Sequence, residues 1–212
     1  HVIVPLGDEP LRVLTGLSGI TKWRGSILPC VLPGLNGRKC VPSVHPAWIV
    51  RGQWKWEAVL TYVDLARAAE EQNSPTITYP KREALTGPSF RTTLDWLASC
   101  YNRKWVSVDI ETYGYSEHGM GEIACIGLGW SNDTAMCIPL VRKGGIPYWT
   151  LNEEVAVWLA IARLLQDPST KLIGQNIGFD WIYFWFHGVY PHTLYVDTMH
   201  LHHCLYPDFG SV

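Results

Sequence analysis

Between Pro10 and Trp56 the chain has no acidic residue at all, although seven basic ones fall there (Arg12, Lys22, Arg24, Arg38, Lys39, Arg51 and Lys55). The rest of the chain holds ten basic and nineteen acidic residues, for a total net charge of −2. The whole chain is therefore no polycation. The pattern predicts a locally basic module joined to an acidic one, the first suited to an anionic polymer and the second to metal ions. The alternative is an uneven but merely solvated surface.

Long hydrophobic runs are also missing. The most apolar stretch, Trp181 to Tyr190, contains His187 and falls short of the ~20 residues a bilayer span requires. The stretch is too short to cross a bilayer as a helix, and no signal peptide is visible. The six cysteines (Cys30, Cys40, Cys100, Cys125, Cys137 and Cys204) are scattered, with no C-x-x-C pair. That argues against a disulfide framework and for a reducing, cytoplasmic setting. There is no internal repeat and no low-complexity tract. The chain opens on His1 rather than Met and stops at Val212, so both ends read as cuts through a longer protein. At 212 residues and 47% hydrophobic it has enough apolar material for one large or two small domains.

What is present is most informative at Trp105-Val106-Ser107-Val108-Asp109-Ile110-Glu111-Thr112. The alternation reads as a core strand, with Val106, Val108 and Ile110 on one face and Ser107, Asp109 and Glu111 on the other. Two carboxylates on one strand face sit roughly 6.5–7 Å apart at Cα. They repel each other unless something positive lies between them, and a divalent cation with a taste for oxygen ligands fits. The other reading is a strand end whose acids reach solvent.

Around this strand the pattern predicts further strands over 122–130 and 135–141. A helix is expected from Asn152 to Gln166, with Val155, Trp158, Leu159, Ala162 and Leu165 as its apolar stripe. After it come a strand at 171–175, a helix over 179–187, a short strand at Tyr195 and Val196, and a helix over 198–205. This is an α/β plan with a mixed sheet. Before it, residues 1–7 read as a strand, 9–14 as a helix, 39–44 as a strand and 47–72 as one long helix opened by Pro46. Residues 73–102, rich in Pro and Gly up to Pro88, read as a linker with a helix at 92–100. The second module is expected to start at 103.

Asp180 follows the strand at 171–175 and the segment Asn176-Ile177-Gly178-Phe179. Active sites of open α/β sheets gather where strands end and helices begin, so Asp180 can join Asp109 and Glu111. Its alternative role is dipole compensation at a helix start. Together, Asp109-Ile110-Glu111 (D-x-E) and Asn176 to Asp180 (N-x₃-D) resemble the DnaQ-like (DEDD) 3′–5′ exonuclease family. The segment Val196-Asp197-Thr198-Met199, closed by Leu205-Tyr206-Pro207, is similar to proofreading domains of family A DNA polymerases. The resemblance covers about 103–212. It implies an RNase H-like fold and two Mg²⁺ or Mn²⁺ ions on Asp109, Glu111 and Asp180. It also implies release of deoxynucleoside monophosphates from a single-stranded DNA 3′ end, with Thr112 and Asn176 near the strand. The family's third motif is expected beyond Val212. His203 and Asp208 match its spacing formally, but Pro207 would break the helix that should carry both. Asp197 offers itself as a further ligand or as an N-cap, the N-cap being favoured. His200, His202, His203 and Cys204 resemble a zinc cluster, with 200, 203 and 204 on one helix face, but no second ligand pair lies nearby, so packing or surface roles are favoured.

In the first module, Lys22-Trp23-Arg24 sits in a glycine-flanked loop, and His45 precedes Pro46-Ala47-Trp48. Residues 1–72 resemble the C-terminal half of uracil-DNA glycosylase-like domains of the family 4 branch, a partial α/β/α domain. The matching pieces are Val2 to Gly7, Ile20 to Gly25 and Val41 to Pro46 with Arg51. The resemblance implies that His45 faces the uracil oxygen, and that Lys22, Trp23, Arg24, Trp48 and Arg51 contact DNA. The motif that activates water and the iron–sulfur ligands of that family lie upstream of the matching region, so no cluster is expected here. A glycosylase-like part followed by an exonuclease is similar to certain bacteriophage-type family A polymerases. By that resemblance a polymerase domain follows on the same parent chain, in a bacterial or phage-infected cell.

Overall fold

The structure is a computed structural model that describes residues 2–51, 56–74, 76–101, 103–114 and 121–205. It divides into two units, His1–Tyr79 and Pro80–Val212.

The first unit contains β1 (Val2–Ile3), α1 (Asp8–Thr15), α2 (Ile20–Trp23), β2 (Leu28–Pro29), β3 (Lys39–Cys40), α3 (Pro46–Arg51) and α4 (Trp56–Glu71). Its small sheet has the order β1-β3-β2, with β1 parallel and β2 antiparallel to β3. Leu11, Ile20, Leu28, Cys30, Cys40 and Val44 form its core. The glycine-flanked loop is partly helical. Asp8 Oδ1 accepts the amides of Gly19 and Ile20, which provides the start of α2 with the acceptor its free N–H groups need. The long helix expected over 47–72 is described as α3 and α4, and residues 52–55 lie outside the described set.

The second unit starts earlier than expected. Residues 83–86 lie in the supposed linker but form β4 (Glu83–Thr86), and α5 (Phe90–Cys100) follows. Three of the four β4 residues are exposed, so this edge strand has no alternation to betray it. Then come β5 (Trp105–Tyr113), β6 (Glu122–Gly129), β7 (Thr134–Pro139), a small hairpin of β8 (Val141–Arg142) and β9 (Ile146–Pro147), α6 (Leu151–Leu165), β10 (Lys171–Gly174), α7 (Ile177–Phe186), β11 (Leu194–Asp197) and α8 (Thr198–Leu205). The sheet order is β11-β10-β5-β6-β7-β4. Strands β5, β6 and β7 form an antiparallel meander, β10 and β11 add in parallel on the β5 side, and β4 adds in parallel on the β7 side. The meander flanked by parallel strands and crossover helices is the mixed sheet of an RNase H-like α/β fold.

Val106, Val108, Ile110, Ile126, Leu128, Met136 and Ile138 are buried together with Leu97, Val157, Ile161, Leu164 and Phe184 from α5, α6 and α7. Ser107, Asp109 and Glu111, on the other face of β5, stay exposed. The α6 stripe differs from expectation. Val157, Ile161, Leu164 and Leu165 are buried, whereas Val155 and Leu159 are 51% and 66% exposed. This helix is apolar nearly all round, so its periodicity permits more than one inward face, and packing on the sheet chooses. Its N-cap is Thr150, two residues before the expected Asn152. The Thr150 amide and hydroxyl both donate to the Glu153 carboxylate, at 3.0 and 2.8 Å.

Candidate active site

Strand β10 accompanies β5 only as far as Ser107, where it pairs with Ile173. Beyond that point the β5 edge has lost its neighbour, and a backbone donor there must find another acceptor. The amide of Ile110 finds Asp180 Oδ1 at 2.9 Å. The chain leaves β10 at Gly174, turns through Gln175 and Asn176, and enters α7, which carries Asp180 in its first turn. Asp180 is thereby brought to the stretch of β5 that carries Asp109 and Glu111.

Asp180 is only 4% exposed. Burial pushes its carboxyl up to about 6, against the stabilising effect of the N–H groups of Ile110 and Asp180 itself, and the charges of Asp109 and Asp197 push in the same direction as burial. A buried acid that feels Asp109 as a like charge is a site where a cation would be favoured. Asp109 and Glu111 are exposed on the open face. A bulge lies just after Glu111: Glu111 pairs with Cys125 and Thr112 with Ile123, leaving Ala124 as the extra residue. Burial first, and then Cys137 and the Glu111 charge, push the Cys125 thiol beside this point up to about 11, so it remains a thiol at neutral pH.

A groove of about 440 Å³ runs over the sheet beside Asp109, lined among others by Ser107, Gly127, Gly129, Ala135, Gln175 and Thr198. Gly127 pairs with Asp109 and Gly129 with Ser107, so the floor next to the carboxylate has almost no side chains. Gln175, Thr198 and these glycines gave no sequence signal, because register and crossover create their proximity to Asp109.

Three carboxylates are thus brought to one region, but their arrangement is open. Among the described residues, no group of three or more His, Cys, Asp or Glu converges in a form that could hold a metal ion. That statement covers His200, His202, His203 and Cys204 too. Asp208 lies outside the described residues. The donors on hand are hard oxygens, and Mg²⁺ is commonly held by one or two carboxylates with waters and substrate phosphates completing its shell. Asp109 and Asp180 fit that mode.

In the first unit the residues expected to meet DNA divide into two groups. Lys22, Trp48 and Arg51 are exposed, with the Lys22 ammonium 5.1 Å from the Trp23 ring centre. Trp23 is half-buried against the core. Arg24 faces inward. Its Nη2 donates to Asp64 Oδ1 and the Leu60 carbonyl, both at 2.7 Å, its Nε donates to Asp64 Oδ2 at 3.1 Å, and Ser43 Oγ adds a third donor to that carboxylate. Arg12 pairs with Glu9 and Lys39 with Glu71, so three of the seven basic residues of the acid-free window are compensated within their own unit. The window looked strongly basic because its partners lie outside it in sequence. His45 is exposed, and its Nδ1 accepts the Ala47 amide at 3.0 Å. Gly7, at φ +96, lies against it; a Cβ there would stand 3.3 Å from His45 Cβ.

No protein-family model and no curated protein matches the chain. Solved structures similar to it include Trypanosoma brucei RNase D complexed with RNA U12, at 14% identity and a TM-score of 0.45 over 56% of this chain and 38% of that one. Another is Escherichia coli RNase D, an exoribonuclease involved in structured RNA processing, at 17% identity and a TM-score of 0.40 over 57% of this chain and 28% of that one. A third is the Aedes aegypti Nibbler EXO domain, at 14% identity and a TM-score of 0.45 over 63% of each chain. The chain therefore spans less than two thirds of the length of each. Among the described residues no helix is long and apolar enough to cross a membrane.

Proposed function

We propose that the second unit carries a metal-dependent 3′–5′ exonuclease site that removes nucleotides one at a time from a single-stranded nucleic-acid end. The observation that carries this reading is Asp180. The fold brings it from seventy residues away in sequence to the β5 edge, bonded at Ile110, so that a buried acid feels the charge of Asp109. Asp109 and Asp180 would hold Mg²⁺ or Mn²⁺, with Glu111 as a further carboxylate donor on the open face. When bound, such ions supply an activated water and neutralise charge on the phosphate. The chain's own residues do the rest. Ile110 orients Asp180, the glycine floor at Gly127 and Gly129 leaves room for the terminal nucleotide, and Thr112 and Asn176 flank the site where backbone phosphates pass.

In its finer form, the nucleic acid is DNA, the product a deoxynucleoside monophosphate, and the activity proofreading for a family A DNA polymerase of bacteriophage type. The first unit is then a glycosylase-like module that holds DNA through Lys22, Trp23, Trp48 and Arg51. Arg24 acts from within as their support, and His45 takes the uracil-facing position.

The test is digestion of 5′-labelled single-stranded DNA and RNA with Mg²⁺ by the full-length parent, which carries the third motif, and by its Asp109→Ala and Asp180→Ala variants. Stepwise shortening that both variants lose supports the site; digestion unchanged in either refutes it. The ratio of DNA to RNA digestion decides the finer form.

A further inference from the structure

Asp197 ends β11 and is 7% exposed. Its carboxylate accepts four backbone amides from two helix starts. Oδ1 takes Met199 at 2.9 Å and His200 at 3.4 Å, which is ordinary capping of α8, the helix that follows. The same Oδ1 takes Asn176 at 3.0 Å, and Oδ2 takes Ile177 at 3.0 Å. These two amides open α7, some twenty residues back in sequence. Next to it, Thr198 Oγ1 donates to the Gly174 carbonyl at 3.2 Å. The turn from β10 into α7 is therefore gripped at Gly174, Asn176 and Ile177 by the dipeptide Asp197-Thr198.

This turn needs an external grip. Asn176 stands at φ +51, the only non-glycine residue with positive φ among those described, and its side chain makes no capping bond to α7. The amides of Asn176 and Ile177 at its start are taken by Asp197 of β11 instead. Three residues into that helix stands Asp180, which reaches across to the Ile110 amide. Asp197, the α7 start, Asp180 and β5 form one continuous chain of contacts. Four N–H donors occupy the Asp197 oxygens, and burial, which would raise its pKa, is outweighed by those donors, so the group stays ionised.

We infer that Asp197 is a positioning residue for the carboxylate site: by holding the start of α7 against β11 it fixes where Asp180 meets β5. The inference deepens the exonuclease reading and rests on it for the role of Asp180. The simpler role, capping α8 alone, makes a different prediction. A serine at 197 still caps its own helix but is too short to reach Asn176 and Ile177.

The experiment compares the wild-type chain with Asp197→Ser, Asp197→Asn and Asp180→Ala by amide NMR and by Mn²⁺ titration. The Asp197→Ser spectrum is expected to move the Ile110 amide toward its Asp180→Ala position and speed its hydrogen exchange, while the β6 and β7 amides stay in place. Mn²⁺ affinity is expected to fall about 10- to 100-fold, as when a group orienting a metal ligand is lost. An Ile110 amide unmoved in Asp197→Ser overturns the inference. If Asp197→Ser does not fold, Asp197→Asn decides. It keeps the shape but loses the acceptor for Ile177, so an unmoved Ile110 amide there overturns the inference equally. A wild-type chain that binds no Mn²⁺ refutes the cation role of Asp180, and the Ile110 amide still decides whether Asp197 positions it.

Discussion

The amide of Ile110 donates to the carboxylate of Asp180 at 2.9 Å. One bond thus serves two purposes. It satisfies a donor on the β5 edge that β10 does not reach, and it holds a buried acid beside Asp109.

Burying Asp180 costs stability, and the cost depends on pH. Its folded pKa, about 6, lies above the unfolded value near 3.8. A raised carboxyl stabilises the fold below the unfolded pKa, and that contribution is lost as pH rises through the folded one. In chelator, the protein should therefore lose stability between pH ~4 and ~6 from this group. The shift corresponds to about 3 kcal/mol as an upper bound. Asp180→Asn keeps an acceptor for Ile110 and carries no charge, so it should flatten this slope and stabilise the chelated protein at pH 7. Urea midpoints at pH 4.5 and 7 check both.

Divalent cations should reverse that trend. A cation held by Asp109 and Asp180 favours their ionised forms, so Mn²⁺ at about 100 times its Kd should add about 2.7 kcal/mol. Asp109→Ala and Asp180→Asn should each abolish the gain in a thermal-shift titration. An equal gain in the variants would place the cation elsewhere.

Gly127 separates folding from function. A Cβ there would meet Asp109 only at ordinary contact distance, 3.6 Å from its carbonyl oxygen and 4.0 Å from its Cβ. Gly127→Leu should change stability by no more than about 1 kcal/mol, within the range of strand preferences. In the full-length parent it should fill the groove beside Asp109 and stop digestion. A melting curve and a digestion assay on the same preparation give both answers.

Arg24 and Lys22 should differ in kind. Asp64 is buried, and Arg24 is its charge partner. Arg24→Ala should cost about 3–5 kcal/mol, because it leaves a buried carboxylate uncompensated. Lys22→Ala should cost within about 0.5 kcal/mol. If Lys22 meets a phosphate, its loss should also lower the salt slope of DNA binding by about one. Denaturation and salt-dependent binding curves distinguish the two.

Much of the second unit was legible in the sequence. The alternation of Val106, Val108 and Ile110 against Ser107, Asp109 and Glu111 appears in the structure as a buried and an exposed face, since a strand has one period and one core side. The order of β5, β6, β7, α6, β10, α7, β11 and α8 was readable from strand alternation, helix periods and caps, whereas the short β8–β9 hairpin was not. Strand β4 was not, because a four-residue edge strand with one half-buried side chain has no period. The inward face of α6 was misread because Val155 and Leu159 are as apolar as Val157 and Ile161. In the first unit, Arg24 read as a surface cation because nothing local announces Asp64, forty residues away.

The sequence by itself determined where the candidate residues stand: two carboxylates on one face of β5, a third at the start of α7, and a cap at Asp197. Those follow from local periods of two and 3.6 and from the needs of a helix start. Only the tertiary structure decided that β10 stops short of Ile110, so that the orphaned amide draws in Asp180, and that Asp197 reaches back to hold the helix that carries it. Strand length and crossover geometry set these contacts, and they join residues twenty and seventy positions apart that no local pattern connects.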